Sequence, residues 1–521
     1  MTMQENDGVP GRSIDDAVRE HAATRPDALA VSGPALTLTW RELDEAADRA
    51  AGHLARNGVG PGDRVGWLGH NDIGFPVILL GAWRRRAALV GLNWRQPVAD
   101  LRAAAETIGL KHLVAGPELA DTARGIVAPD AVSVIDQTAV PWPDVPAAEP
   151  LVPSPGDEGI IYFTSGTTGA PKSVPLTRRA VDATIPYADV HHFSTESRML
   201  IVPPTFHAAG ATWTQYGLAA GATMVYSTAA APPALVRAFA EHEITHAVLV
   251  PTLIRAMVDQ LRAEPVALPR LEHIGYGASS ITQTLLAEAL ETLGCEFCQV
   301  YGMTEAGGGV CFLTSDDHQL NGEHTGRLAS AGRPGAGVDL SVRDVATGAE
   351  VPQGTPGELW FRAPSMTEGY LNGGDAARPA LVGGWLNTHD VGYVDPDGYV
   401  FVQGRSDDMI VTGGENVHPA EVENVIARLP EVLECAVYAV PDERWGQRVC
   451  ASVVLRDPDG LTVDAMTEHC RAHLAGYKVP KLIRIVAGLP RTATGKILRP
   501  QLVKEAAEAA ETTAAGTGAD A

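Results

Sequence analysis

Apolar and polar positions alternate along most of the chain with the periods of helices and strands. The segment Leu38-Thr-Trp-Arg-Glu-Leu43 opens an amphipathic stretch that predicts a helix to about Asn57. A turn at Gly60-Pro-Gly-Asp63 then leads into a predicted strand from Arg64 to Leu68. The same alternation recurs to about residue 400. It predicts a layered α/β architecture for this part of the chain.

The pattern changes near Gly404, and from there to about Leu502 it predicts a small α+β unit. The strands are expected near Cys435–Val440 and Val449–Leu455, and the helices near Ala420–Arg428 and Val463–Leu474. We therefore place a domain boundary at residues 403–408, with a large domain of residues 1–403 and a small one of residues 404–521. The tail of residues 505–521 is rich in Ala, Glu, Thr and Gly, so we expect it to be disordered.

Two stretches interrupt this pattern. Six prolines between Val140 and Pro155 predict a connecting loop. The best candidate for a membrane span, Phe75 to Trp83, is short and runs into Arg84, whereas a span needs roughly 20 apolar residues. The N-terminus has no basic region or cleavage site of a secretory signal. We expect no membrane span and a cytoplasmic location.

Composition narrows the class of partner. The chain has 521 residues, a length that favours two or three domains, and its net charge of −23 argues against nucleic acid as a partner. Local Lys and Arg residues can still bind small phosphorylated ligands. Cys295 and Cys298 form a C-x-x-C, but no second pair completes a zinc set in the sequence, so we interpret them as buried structural thiols.

The strongest motif is Tyr162-Phe-Thr-Ser-Gly-Thr-Thr-Gly-Ala-Pro-Lys172, which follows an apolar strand from Gly159 to Phe163. Glycines let backbone N–H groups close around phosphate oxygens, hydroxyls add donors and the lysine adds positive charge. The pattern differs from a Walker A loop, because Ala170-Pro171 separates the last glycine from the lysine. The candidate nucleotide ligands are Thr164, Ser165, Gly166, Thr167, Thr168, Gly169 and Lys172.

This string resembles the phosphate loop of the adenylate-forming superfamily of acyl-CoA synthetases, nonribosomal peptide adenylation domains and firefly luciferases. The resemblance runs from Leu38-Thr-Trp-Arg-Glu42 to Arg499 and is strongest to acyl-CoA ligases. It implies a large α/β domain of several subdomains and a small mobile α+β lid. It also implies ATP, Mg²⁺ and coenzyme A as ligands, with a small carboxylic acid as substrate.

A second motif is Tyr301-Gly-Met-Thr-Glu305. The resemblance implies that Thr304 touches the α-phosphate and that Glu305 helps to hold magnesium, a hard cation that prefers oxygen ligands. It further implies that Tyr301 stacks on adenine beside Gly302. The stretch Gly275-Tyr-Gly-Ala-Ser279 then lines the other side of the pocket, through Gly277 and Ala278.

Three further motifs follow in the family's order. Asp390 matches the aspartate that accepts both ribose hydroxyls, although His389 stands where the family has glycine. In Gly404-Arg-Ser-Asp-Asp-Met-Ile410, Arg405 is expected to reach the ribose and Asp407 to act as the hinge of the lid. Gly413 and Gly414 are expected to leave room for the thiol arm.

The last motif, Pro490-Arg-Thr-Ala-Thr-Gly-Lys496-Ile-Leu-Arg-Pro500, carries the lysine that the resemblance makes catalytic. Adenylation joins a carboxylate to a phosphate, so two anions meet. A positive side chain between them stabilises the transition state. Lys496 is therefore the predicted catalytic residue of the lid.

The acid is harder to predict. His207 matches a histidine that lines the acyl pocket of acyl- and aryl-CoA ligases, and no acidic residue between Arg198 and Glu241 is present to pair with an amino acid's ammonium group. Gly302 replaces the tryptophan of acetate-specific relatives, which favours an acid larger than acetate, medium-chain or aromatic. The side chains expected either to shape this pocket or to belong to the core are Trp213, Tyr276 and Met303. Ser173, where the family has glycine, is a second departure beside His389.

The sequence leaves three hypotheses. The acceptor is coenzyme A in the first, and a carrier-protein phosphopantetheine or another nucleophile in the second. In the third the chain binds nucleotide without turnover, which the retained Lys172, Glu305, Asp390, Arg405 and Lys496 disfavour. The acid, the physiological thiol and the formation of a homodimer stay open.

Overall fold

The computed structural model describes residues 12–149, 151–164, 172–227, 231–279, 281–322, 324–371, 381–406, 408–442, 444–491 and 497–517. Its α-helices are α1 (Ile14–Thr24), α2 (Trp40–Arg56), α3 (Gly74–Arg84), α4 (Val98–Thr107), α5 (Ala120–Arg124), α6 (Arg178–Asp182), α7 (Ala208–Ala220), α8 (Pro232–Glu241), α9 (Pro251–Ala263), α10 (Gln283–Leu293), α11 (Pro419–Ile426), α12 (Val463–His473) and α13 (Arg499–Thr517).

Its strands are β1 (Leu29–Ser32), β2 (Thr37–Thr39), β3 (Arg64–Leu68), β4 (Ala88–Gly91), β5 (His112–Ala115), β6 (Val132–Val134), β7 (Glu158–Thr164), β8 (Lys172–Thr177), β9 (Arg198–Ile201), β10 (Thr223–Tyr226), β11 (His246–Leu249), β12 (His273–Gly277), β13 (Glu296–Met303), β14 (Gly308–Leu313), β15 (Arg333–Pro334), β16 (Asp339–Arg343), β17 (Gly357–Arg362), β18 (Leu381–Val382), β19 (Trp385–Val394), β20 (Val400–Arg405), β21 (Ile410–Thr412), β22 (Glu415–Val417), β23 (Val432–Asp442), β24 (Gly446–Leu455) and β25 (Leu482–Ile485).

Two mostly parallel sheets form the large part of the molecule. Among the described residues, one sheet has the order β15-β14-β13-β12-β11-β9-β10-β1-β2 and the other the order β6-β5-β3-β4-β7-β8. Their shared core contains Met199 and Met224 from the first sheet and Leu89 and Ile160 from the second. The predicted layered α/β class is confirmed. In such sheets the carboxyl ends of the parallel strands are where ligands bind.

Helix α2 begins where the sequence predicts. Thr39 is its N-cap, and the Thr39 side chain accepts a hydrogen bond from the backbone N–H of Glu42. The Glu42 carboxylate in turn accepts the Thr39 backbone N–H at 2.8 Å. This reciprocal capping satisfies two of the N–H groups that a helix start otherwise leaves without a partner.

The apolar run from Phe75 to Trp83 is helix α3, and every residue of that helix is buried. Among the described residues, no helix combines the length and the apolar character needed to cross a bilayer. Helix α3 ends in Arg84, whose side chain is 5% exposed and contacts the carboxylates of Asp15, Asp44 and Asp48 at 3.0, 2.5 and 2.8 Å. The cation thereby joins α1, α2 and α3.

Two smaller sheets complete the described chain. One has the order β16-β17-β19-β18, with β20 pairing β19, and the other has the order β22-β21-β24-β23, with β25 pairing β24. The chain passes from the first of these sheets to the second between Arg405 and Ile410. This passage lies next to the predicted hinge Asp407, which is outside the described residues.

The expectation of disorder from residue 505 is wrong up to Thr517, because α13 runs from Arg499 to that residue. Leu502 and Ala506 are fully buried and pack with Tyr438 and Cys450 of the small sheet. The composition of the tail had indicated that it was too polar to bury anything. One apolar stripe of small side chains is nevertheless enough to dock the helix.

We expect the substitution Arg84→Met to destabilise the large domain, because it removes the buried cation from three carboxylates, which then keep only the longer contacts of the half-exposed Arg19 at 3.4–3.9 Å. Loss of one partner from a buried ion pair costs about 3–5 kcal/mol. Thermal unfolding followed by circular dichroism measures the effect. The matched control is Arg41→Met, since Arg41 pairs with Asp27 at 2.7 Å on an exposed surface and such pairs contribute less than about 1 kcal/mol. Equal melting temperatures for the two variants would show that Arg84 does not hold the three helices together.

Candidate active site

The ends of the predicted phosphate loop are held together by a hairpin. Strand β7 ends at Thr164 and β8 starts at Lys172, and these two residues are register partners in the antiparallel pair. Ser165, Gly166, Thr167, Thr168 and Gly169, which belong to the predicted loop between them, lie outside the described residues. The hairpin therefore places both ends of the loop at the carboxyl end of β7.

Thr304 and Glu305 form a short turn at the carboxyl end of β13. The turn is a 3-10 helix, Thr304–Ala306, and Gly307 follows it with φ +80°. Glu305 is only 8% exposed. A carboxylate held in so little water is well placed to bind a cation, as the sequence predicts for this residue.

One segment, residues 363–371, joins the Thr304–Ala306 turn to the phosphate-loop hairpin. The Ser365 hydroxyl donates to the carbonyl of Ala306 at 2.8 Å, and the backbone N–H of Thr367 donates to the carbonyl of Glu305 at 2.9 Å. At its far end the N–H of Leu371 donates to the carbonyl of Ser173 at 3.0 Å. The segment thus fixes the spacing between parts of the site that come from two different sheets.

Tyr370 makes the central contact of this segment. Its hydroxyl donates to Glu305 Oε1 at 2.8 Å, and the Lys172 ammonium lies 5.0 Å above its ring centroid. Burial, together with the Glu305 carboxylate, raises the pKa of Tyr370, so the phenol stays protonated and continues to donate. The motifs gave no signal for this residue, because it is 65 residues from Glu305 and belongs to none of them.

Tyr301, Asp390 and Arg405 meet at the predicted nucleoside site. The Tyr301 hydroxyl donates to Asp390 Oδ2 at 2.6 Å, and an Arg405 guanidinium nitrogen lies 3.8 Å from Asp390 Oδ1. Asp390 and Arg405 are register partners in β19 and β20. Burial and the neighbouring Asp390 raise the pKa of Tyr301, which keeps this phenol protonated.

Gly277 and Ala278 lie beside Tyr301. Gly277 ends β12 and is the register partner of Val300, so that a side chain at Gly277 would overlap the Val300 carbonyl. Ala278 has φ +65°, in the left-handed region that disfavours residues other than glycine. The structure therefore brings these predicted residues to the same edge of the sheet as Tyr301.

The two departures from the family's pattern differ physically. His389 has φ +58°, a strained conformation in which its carbonyl accepts the Ser406 N–H at 2.7 Å. Asn387 supports this geometry, because its side-chain oxygen accepts the His389 N–H at 2.8 Å. Ser173 lies in regular strand β8 and does not have a positive φ. Backbone strain therefore accompanies His389 and not Ser173.

The side chains predicted either to shape the acyl pocket or to belong to the core pack in three different clusters. His207 is the N-cap of α7, which places it at the start of the helix that carries Trp213. Trp213 packs in the core between the two large sheets, Tyr276 in a second cluster with Phe297, and Met303 against a third cluster. Trp213 and Tyr276 therefore pack as core residues in separate clusters, which is the second placement that the sequence left open, and the composition of the acyl pocket stays a prediction.

Gly302 has a packing role that the sequence does not reveal. It lies at a register shift between β13 and β14, and a side chain there would overlap the carbonyl of Gly308. The backbone of β14 therefore comes too close to β13 for any residue but glycine in this arrangement.

Gly413 and Gly414 form the two-residue turn between β21 and β22. Their φ values are +60° and +86°, and the flanking Thr412 and Glu415 are register partners. Turns with two positive φ values strongly favour glycine. A side chain at Gly413 would lie 2.8 Å from the Trp445 ring. The predicted role of these glycines beside the thiol stays a prediction.

The predicted catalytic residue of the lid, Lys496, lies outside the described residues.

The fold and these contacts define the class of protein: a nucleotide-binding α/β enzyme with a small second domain. Comparisons with known proteins identify the family. The family described as AMP-binding enzyme matches residues 18–371, and the AMP-binding enzyme C-terminal domain matches residues 421–496. The chain belongs to this family, so the predicted adenylate-forming superfamily is confirmed.

The relatives include two kinds of ligase. A fatty acid–[acyl-carrier-protein] ligase of Streptomyces coeruleorubidus is 33% identical over 92% of this chain and 94% of its own length. A feruloyl-CoA synthase of an Amycolatopsis species is 34% identical over 92% of this chain and 96% of its own length. The structure is similar to that of the o-succinylbenzoate CoA synthetase of Bacillus subtilis in complex with its acyl-adenylate, with a TM-score of 0.80. The two chains are 27% identical, and the match covers 93% of this chain and 97% of the other. The chain is an AMP-forming acid–thiol ligase.

We expect Tyr370→Phe to slow adenylation about 10-fold or more and to raise the Mg²⁺ concentration needed for half-maximal rate. The substitution removes the hydrogen bond to Glu305 and keeps the ring beneath Lys172, and a hydrogen bond to a charged group contributes roughly 1.5–3 kcal/mol. Pyrophosphate release as a function of Mg²⁺ measures both effects. A lower adenylation rate in Tyr370→Leu than in Tyr370→Phe would measure the contribution of the contact between the ring and Lys172.

The matched control is Tyr393→Phe, because Tyr393 stacks on Phe401 at 5.1 Å on strands β19 and β20 and makes no contact with Glu305 in the described structure. An unchanged Mg²⁺ dependence in Tyr370→Phe would show that the phenol does not position Glu305.

Proposed function

We propose that this protein activates a carboxylic acid larger than acetate, medium-chain or aromatic, as its acyl-adenylate and transfers the acyl group to coenzyme A. The observation that supports this most is the hydrogen bond from Tyr370 to Glu305 beneath Lys172. It joins a cation and a carboxylate from two sheets at one place, as binding of a triphosphate with its metal ion requires.

In the first step a carboxylate oxygen of the acid attacks the α-phosphorus of ATP. The new oxygen–phosphorus bond forms, the bond from the α-phosphorus to the bridging oxygen breaks, and pyrophosphate leaves. Thr304 would donate to the α-phosphate, and Lys172 with the hydroxyls and glycines of residues 164–169 would bind the outgoing phosphates. Lys496 would place its charge between the two anions as they join.

The nucleoside would be held at the edge of β13 and β19. Tyr301 would stack on adenine, and Gly277 with Ala278 would close the opposite side. Asp390, whose carboxylate contacts Tyr301 and Arg405, would accept the ribose hydroxyls. Glu305 would hold Mg²⁺, since carboxylate oxygen suits this hard cation and Tyr370 fixes its orientation. The bound ion would neutralise charge on the phosphates.

In the second step the thiol sulfur of coenzyme A attacks the carbonyl carbon of the adenylate, and AMP leaves. The small domain, residues 404–521, would turn about Asp407 between the two steps, so that Gly413 and Gly414 come to line the path of the thiol. Closure in each step excludes water, which would otherwise hydrolyse the mixed anhydride.

The character of the acid follows from helix α7. Its buried residues include Trp213, and no carboxylate occurs between Arg198 and Glu241 to bind an ammonium group. His207 stands at the start of this helix. These features favour an uncharged apolar acyl group over a free amino acid.

A carrier-protein thiol is the second candidate acceptor. It is favoured by the relative from Streptomyces coeruleorubidus, a fatty acid–[acyl-carrier-protein] ligase. The net charge of −23 argues against an acidic carrier as partner, because two negative surfaces repel each other.

A panel of acids separates these candidates. The purified chain is incubated with ATP, Mg²⁺ and acetate, octanoate, benzoate or a hydroxycinnamate, with and without coenzyme A, and pyrophosphate and thioester are measured. We expect the larger acids to release pyrophosphate at least 10-fold faster than acetate does. We expect thioester to form only when coenzyme A is present. Acid-dependent pyrophosphate release without thioester would favour the carrier protein, and no release with any acid would reject adenylation.

We expect Lys496→Ala to lower adenylate formation by roughly 100-fold or more, as loss of one transition-state donor does elsewhere. Thioester formation from a synthetic acyl-adenylate should persist, because that step no longer joins two anions. The matched control is Lys504→Ala, whose exposed ammonium contacts only Glu508 at 3.9 Å among the described ion pairs. A Lys496→Ala enzyme with unchanged adenylation would overturn the assignment of this lysine.

A further inference from the structure

Three neighbouring strands of the nine-stranded sheet begin with an imidazole or a carboxylate. His246 starts β11, His273 starts β12 and Glu296 starts β13, and they are register partners in turn. Register partners on adjacent strands point to the same face of a sheet. This row lies at the amino ends of the strands, about 13 Å along β12 from the carboxyl end that carries the nucleotide residues.

His192 reaches this row from outside the sheet. It ends the 3-10 turn Ile185–His191 as its C-cap, with φ +55° in the left-handed region. A residue other than glycine is held there at a cost of about 1–3 kcal/mol. Its Nδ1 lies 2.9 Å from Glu296 Oε2. The strained backbone therefore turns the His192 ring toward the start of β13.

His273 supplies the third group, and its two nitrogens have different surroundings. Its Nε2 lies 3.0 Å from Nδ1 of His191, within hydrogen-bonding distance. Its Nδ1 has no hydrogen-bond partner among the described residues and lies 3.7 Å from Glu296 Oε2. His273 is 1% exposed. In the tautomer whose Nε2–H donates to His191, Nδ1 of His273 carries the lone pair.

We propose that His192, His273 and Glu296 bind a divalent transition-metal ion of the Zn²⁺ or Ni²⁺ class, separate from the catalytic magnesium site. The ligand atoms of these three residues lie within 4.8 Å of one another. Zinc bonds of about 2.0–2.2 Å place tetrahedral ligands about 3.3 Å apart. The distances of 2.9 and 3.7 Å from Glu296 Oε2 to the two rings bracket that value.

Access and chemistry both fit such an ion. The side chains of His192 and Glu296 are 59% and 52% exposed, so an ion and a water ligand can enter from solvent. Two imidazoles and one carboxylate, with one position left for water, form a common zinc ligand set. The contact of Nε2 with His191 would fix the orientation of the His273 ring, as second partners of metal-binding histidines do.

A second triad shares His273 but fits an ion less well. Its other members, His191 and Cys298, are fully buried, and the ligand atoms again lie within 4.8 Å. There the facing nitrogens of His191 and His273 already contact each other. None of these three side chains is exposed to solvent, whereas His192 and Glu296 of the first triad are. The observations therefore favour the solvent-facing triad.

The ion would join the turn that ends at His192 to the first residues of β12 and β13. Those strands carry Gly277 and Tyr301 at their other ends. An ion that binds the folded chain and not the unfolded one stabilises the fold, so a rise in melting temperature with added zinc is a second readout besides binding.

The test uses the full chain, treated with EDTA and dialysed, without nucleotide or Mg²⁺. Titration calorimetry with zinc chloride should show one equivalent bound, and both His192→Ala and Glu296→Gln should weaken that binding at least 10-fold. Both residues are exposed, so these variants should keep the melting temperature of the metal-free protein.

The matched control is His473→Ala. His469 and His473 lie one turn apart on α12 with ring centroids 4.4 Å apart, and they form an alternative surface pair for a metal. Zinc binding should be unchanged in that variant. The proposal fails if the wild-type chain binds no zinc or if His473→Ala alone abolishes binding.

Cobalt distinguishes the two triads by spectroscopy. The Co²⁺-loaded protein should show visible d–d absorption without a sulfur-to-cobalt charge-transfer band, because no thiolate is among the proposed ligands. A charge-transfer band that disappears in Cys298→Ser would assign the ion to the buried triad and overturn the proposal.

Discussion

The hydrogen bond from Tyr370 to Glu305 is the contact on which the geometry of the candidate active site depends. The phosphate-loop hairpin comes from the six-stranded sheet, and the Thr304–Ala306 turn comes from the nine-stranded one. The segment 363–371 spans the gap, bonded to the turn at Ala306 and Glu305 and to the hairpin at Ser173. Without that segment two sheets would have to hold a triphosphate between them by packing alone.

Much of the candidate site could be proposed from the sequence because its candidate ligands lie in local motifs. Residues such as Thr304 and Glu305 adjoin a strand end, and their residue types already indicate phosphate and metal chemistry. Asp390 and Arg405 could be named in the same way, although only β-sheet register shows that they are partners. Tyr370 could not be found, since its importance comes from a contact across 65 residues.

Packing limits sequence-based prediction in other ways. Trp213 and Tyr276 look equivalent as aromatic residues, yet they pack in different core clusters on the two sides of the large sheet. The tail from residue 505 looked too polar to fold, but Ala506 is buried. The spacing of the C-x-x-C motif did not indicate a set of metal ligands, because no second pair lies near it in the sequence. The fold nevertheless brings His191 and His273 close to Cys298. Each case depends on which residues face one another, and linear spacing does not contain that information.

The close approach of β14 to β13 has a consequence for how acid preference can diverge in this lineage. Any side chain at Gly302 would meet the Gly308 carbonyl. In the acyl pocket proposed above, a larger residue at this position would thus require the neighbouring strand to move first, which obstructs a single-step change toward acetate by that route. Helix α7 imposes a similar limit at Gly210, because a side chain there would meet the carbonyl of Pro203.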